Sequence, residues 1–77
     1  MRRQTKHESG VMAPMPATVV AINTAVGQPV AEGQAVIVLE AMKMELPIKA
    51  PRAGVVKAIH CARGDLVRPG VSLLELE

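Results

Sequence analysis

The chain has no phenylalanine, tyrosine or tryptophan. Its core must therefore be filled by Val, Ile, Leu, Met and Ala. Single-stranded nucleic acid would find no aromatic platform for base stacking. There is one cysteine, Cys61, so no internal disulfide can form. That fits a reducing compartment, most simply the cytosol. His7 and His60 are isolated, and with a single cysteine and no clustered carboxylates no metal site is readable. No apolar run approaches the length of a membrane span, and the first residues lack the apolar core of a signal peptide. No stretch between the glycines and prolines keeps a helical period.

The formal charge of +2 is carried by the first ten residues, through Arg2, Arg3, Lys6 and Glu8. Residues 11–77 hold six basic and six acidic side chains and balance to zero. They carry no basic footprint for nucleic acid or an anionic membrane. Residues 1–10 (MRRQTKHESG) read as a flexible polar arm, and 11–77 as one small domain.

What is present is β-branched: Val and Ile together number 15 of 77 residues. The chain also repeats itself. Residues 13–40 and 50–77 align without a gap at an offset of 37, with 11 identities in 28 pairs. The identities include Ala13/Ala50, Pro14/Pro51, Val19/Val56, Gly27/Gly64, Gly33/Gly70, Leu39/Leu76 and Glu40/Glu77. Two copies are too few for a solenoid and suit a closed domain of two matching halves. Each half reads as short strands between turns: Thr18–Asn23 and Ala35–Leu39 in the first, Val55–His60 and Ser72–Leu76 in the second. The expected fold is all-β, a flattened barrel or sandwich of two four-stranded halves sharing one core. His60 and Cys61, as neighbours on a strand, would face opposite ways and form no nucleophilic pair.

The connector between the halves is the least generic stretch, Glu40-Ala41-Met42-Lys43-Met44-Glu45-Leu46. Leu39 ends one strand and Leu46-Pro47-Ile48 begins another, so a tight hairpin is expected. Such turns favour Asn-Gly or a similar pair that tolerates positive φ, and none occurs from Ala41 to Leu46. Local rules are broken where function asks for it. An approximate two-fold axis relating the repeats would also put this connector at the opposite end from the chain termini.

Glu40-Ala41-Met42-Lys43-Met44 closely resembles the EAMKM attachment motif of the biotinyl (biotin carboxyl carrier) domain family. Ala13-Pro14-Met15-Pro16, Gly27, Gly33, Ala50-Pro51, Gly54, Gly64 and Gly70 match its surrounding pattern, so the resemblance covers 11–77. It implies a flattened β-barrel with quasi-two-fold symmetry and the modified lysine on an exposed hairpin. It implies Lys43 as the site of covalent biotin, with Met42, Met44, Ala41 and Glu40 as the motif that a biotin protein ligase recognises. It implies a non-catalytic carrier, monomeric by itself, whose swinging arm serves a biotin carboxylase and a carboxyltransferase. Acylation would remove the Lys43 charge beside Glu40 and Glu45. Ala17 stands where many members have Gly, Leu46 where a polar residue is common, and no thumb-like insertion is present. The alternatives are a lipoyl carrier on the same fold, whose motif is typically Asp-Lys-Ala, and an unmodified structural module. A free-standing subunit and a domain of a larger carboxylase both fit, and no residue names the acceptor substrate.

Overall fold

The computed structural model describes residues 10–77. Residues 1–9 of the expected arm lie outside the described residues. Gly10 belongs to the fold, because it opens a strand and pairs with Glu75. Eight strands follow in order: β1 Gly10–Met12, β2 Ala17–Ile22, β3 Pro29–Val30, β4 Ala35–Ala41, β5 Met44–Lys49, β6 Gly54–Ile59, β7 Leu66–Val67 and β8 Ser72–Leu76. They form two antiparallel four-stranded sheets, ordered β1-β8-β6-β3 and β5-β4-β2-β7. Each sheet takes two strands from each half, so neither half builds a sheet alone.

The 37-residue offset carries one sheet onto the other. Val19 pairs with Leu39 and Ile22 with Ile37, while Val56 pairs with Leu76 and Ile59 with Leu74. The ladder shifts between Val19 and Ala21 and again at the equivalent Val56 and Ala58. Backbone hydrogen bonds between the halves are reciprocal. Gly27 N–H donates to Val56 O at 2.8 Å and Gly64 N–H to Val19 O at 2.7 Å. Val19 N–H donates to Asp65 O and Val56 N–H to Gln28 O, both at 2.9 Å. The turn glycines take matching left-handed conformations, φ 91° and 96° at Gly27 and Gly64. Without a Cβ they adopt these values at little cost.

Alternation, interrupted where the neighbours Val36 and Ile37 and the neighbours Leu73 and Leu74 are all buried, decides what the sheets enclose. The inward side chains form equivalent buried pairs: Val19 with Val56, Val36 with Leu73, Ile37 with Leu74, and Leu39 with Leu76. All are aliphatic and interdigitate without aromatic bulk, as close packing requires. Leu46, where the resemblance leads to a polar residue, turns inward opposite Leu39 and packs on this core. Pro47 lies on β5, an edge strand, where a missing N–H is tolerated.

Strand limits depart from expectation by one or two residues: β4 runs past Leu39 to Ala41 and β5 starts at Met44 rather than Leu46, because the ladder continues through the Glu40–Glu45 and Ala41–Met44 pairs. β2 stops at Ile22 and β6 at Ile59, and the residues that follow, Asn23 and His60, each still donate one N–H across to Val36 O and Leu73 O. His60 and Cys61 therefore lie in a loop. The His60 ring reaches Glu75 Oε2 at 3.0 Å, and Cys61 packs against the core. Burial raises the Cys61 thiol pKa and the Asp65 charge adds to the rise, the reverse of what a nucleophile needs.

The halves differ at the pair Ala17 and Gly54. A Cβ on Gly54 would meet Arg52 Nη1 at 2.8 Å and Glu77 O at 3.0 Å. Arg52 donates there to Glu77 O at 2.9 Å and to Ala53 O at 3.0 Å, tying the last strand down. The residue equivalent to Arg52 is Met15, which packs on the core instead, and so Ala17 fits where Gly54 must stay bare. Gly54→Ala is expected to displace Arg52 and cost about 1 kcal/mol in urea unfolding. Ala17→Gly is expected to cost up to about 1 kcal/mol by loosening the chain. A neutral Gly54→Ala would contradict this account of the asymmetry.

Candidate functional site

The β4–β5 hairpin is fixed by register. Leu39 pairs with Leu46, Glu40 with Glu45 and Ala41 with Met44, leaving Met42 and Lys43 as the whole turn. Two-residue turns between twisted strands are of type I′, with positive φ at both central positions, or type II′, with positive φ at the first alone. Met42 has φ 53° and Lys43 φ 66°, the two non-glycine residues with positive φ among those described. Neither residue relieves this conformation, as Asn or Gly would. The strain expected from the sequence is therefore present, and the interlocked ladders on both sides hold it.

Side chains at the tip point outward. Met42 is 82% exposed and Met44 59%, so these methionines are not core filler. Ala41, 8% exposed, closes the base of the hairpin against the core. Lys43 is exposed and makes no ion pair among the described residues. Glu40 and Glu45 stand directly opposite each other on the outer face, a like-charge pair that disfavours the hairpin. Neither forms a salt bridge with Lys43, so the cation neighbour expected for them is not a bonded one.

The dyad explains where the tip sits. It relates the Pro47–Val38 pair to Gly10–Glu75, and Glu40 to Glu77. The hairpin thus occupies the position that Gly10 and Glu77 hold on the other side of the axis. Lys43 faces away from anything attached at residues 10 and 77.

The registers also reveal residues that the sequence gave no cause to group. Glu45, Glu40, Thr18 and Leu66 form one row across β5, β4, β2 and β7. Only the pairing of distant strands brings Leu66 beside the hairpin, so no local motif could have found it.

An exposed lysine thus stands at the apex of a left-handed turn, and no group of three His, Cys, Asp or Glu side chains that could hold a metal occurs among the described residues. The sequence pattern of the Biotin_lipoyl family, described as "Biotin-requiring enzyme", matches residues 9–76, and the chain belongs to that family. The chain is 45% identical to the human mitochondrial propionyl-CoA carboxylase alpha chain, over 100% of its own length and 11% of that protein. It is 45% identical to a biotin carboxyl carrier protein of Streptococcus mutans, over 83% of its length and 49% of that one. A solved single-chain, multi-domain long-chain acyl-CoA carboxylase superposes with a TM-score of 0.79 at 32% identity, covering 84% of this chain and 6% of that one. The chain therefore spans about a tenth of the first of these relatives and about half of the second.

If register alone imposes the strain, residues suited to positive φ should relieve it. Met42→Asn with Lys43→Gly is expected to raise unfolding stability by about 1 kcal/mol. The change also removes Lys43. Unchanged or lower stability in urea unfolding would show that the turn carries no strain.

Proposed function

We propose that the chain is a biotin carboxyl carrier domain and that Lys43 takes the biotin. The observation that carries this reading is the left-handed Met42-Lys43 turn at an exposed tip. Strained backbone at a surface tip persists where it has a use. Two relatives support the class by name, one a biotin carboxyl carrier protein and the other a propionyl-CoA carboxylase chain.

The donor set fits the group. Biotin attachment needs one accessible primary amine, and Lys43 presents it clear of ion pairs among the described residues. An ammonium does not attack an acyl carbon, so a base of the ligase takes its proton. Lys43 Nζ then attacks the acyl carbon of biotinyl-adenylate. The amide C–N bond forms, the acyl–phosphate bond breaks and AMP leaves. Met42 and Met44 offer flexible apolar contact to the ligase, as exposed methionines do. Ala41 keeps the base of the hairpin narrow, and Glu40 with Glu45 presents an acidic outer face.

When bound, biotin supplies a ureido nitrogen that carries carboxylate from a biotin carboxylase to a carboxyltransferase. This chain contributes the tether. A short tether holds its cargo at a local concentration of roughly millimolar. Loading removes the Lys43 charge and moves the balance of residues 11–77 from zero to −1. Contacts with the two partner enzymes are weak and salt-sensitive, because a carrier must leave each site. The partners, not this chain, select the acceptor.

The test is the intact mass of the chain after incubation with biotin ligase, ATP and biotin, beside Lys43→Ala. The expected result is a gain of one biotin less one water, absent from the variant. No gain overturns the reading. A gain with lipoate ligase and lipoate instead would reassign the domain as a lipoyl carrier.

A further inference from the structure

The two-fold makes the molecule nearly symmetric, and one departure from it lies beside the hairpin. A shallow groove of about 300 Å³ lies across β4, β2 and β7, lined by Pro16, Thr18, Glu40, Leu66, Val67 and Arg68. The positions equivalent to these are Ala53, Val55, Glu77, Pro29, Val30 and Ala31. On that side the Arg52 guanidinium lies over Gly54 and donates to the Glu77 and Ala53 carbonyls. On the hairpin side Met15 turns to the core, and the groove stays open.

The open groove is chemically mixed. Leu66 is a leucine 82% exposed to water, at a strand position whose counterpart is Pro29. Glu40 and Arg68 line the same hollow with opposite charge, yet they form no ion pair among the described residues. The groove therefore offers an apolar wall, a carboxylate acceptor, a hydroxyl at Thr18 and a guanidinium donor.

Resting on the reading of Lys43 as the biotin site, we infer that this groove holds the biotinyl ring when the arm is not engaged with an enzyme. The ring has matching parts. Two ureido N–H groups suit Glu40 and Thr18, the ureido oxygen suits Arg68, and the apolar thioether ring suits Leu66, Pro16 and Val67. The reach is sufficient. Glu40 lies three residues before Lys43, ~10 Å along the strand, and Leu66 lies two strand spacings across, another ~10 Å. The straight diagonal is ~14 Å. The lysine stem and valeryl chain span about ten bonds, or ~12 Å before the ring itself, so the ring meets the groove with the arm extended. Such docking is weak and reversible, since the tether already supplies the ring at high local concentration.

The experiment compares amide NMR spectra of the whole chain before and after ligation, with intact mass to establish loading. Loading is expected to shift Thr18, Leu66 and Arg68 as well as the hairpin. Val55 and Ala31, their counterparts across the dyad, are expected to stay put. Leu66→Glu, at an exposed position, should abolish the distant shifts and keep those of the hairpin. Full mass gain with shifts confined to residues 41–45 would overturn the inference and leave the groove to a partner protein. No mass gain would overturn the reading of Lys43, and this inference with it.

Discussion

The interlock of β2 and β6 is the constraint on which the rest depends. Val19 and Val56 each bury their side chains at the centre and exchange backbone hydrogen bonds with the opposite half's turn, through Gly64 and Asp65 on one side and Gly27 and Gln28 on the other. Because each sheet needs strands from both halves, neither half can slip without exposing its inward residues. A small domain with no aromatic residue has little area to bury, and symmetry gives the fully buried Val19, Val36, Ile37 and Leu39 the buried equivalents Val56, Leu73, Leu74 and Leu76.

That frame produces the site. Pro47 and Glu40 are fixed where Gly10 and Glu77 stand on the other side of the axis, and the chain must bridge them in one turn. Register leaves two residues for the bridge, and both take positive φ. The strain at Met42 and Lys43 is thus imposed by packing far from the tip. A lysine on a flexible loop would be equally exposed but not equally defined in direction. The like-charge pair Glu40 and Glu45 adds a further local cost that the frame also holds.

Much of this was legible in the sequence. Aligning Gly27 with Gly64 and Gly33 with Gly70 gave the two halves, and their φ values agree. The lack of Asn or Gly between Ala41 and Leu46 marked the connector as strained, which Met42 and Lys43 bear out. Other features were hidden for physical reasons. β3 and β7 are two-residue pairings, too short for any periodic signal. Gly10 belongs to β1 because of Glu75, a partner 65 positions away that no local pattern reveals. The placement of Thr18, Leu66 and Arg68 beside the hairpin likewise depends on strand order, and Arg52's role depends on where the chain comes to lie over Gly54.

The central claim is that the folded frame, rather than the motif alone, presents Lys43 to the ligase. It is tested by comparing ligase kcat/KM for the folded chain with that for a linear peptide spanning Val36–Ala50, which keeps the motif and loses the frame. A pre-organised turn predicts that the folded chain is the better substrate by about a hundredfold. Equal rates would contradict the account, because the strained turn would then contribute nothing to recognition.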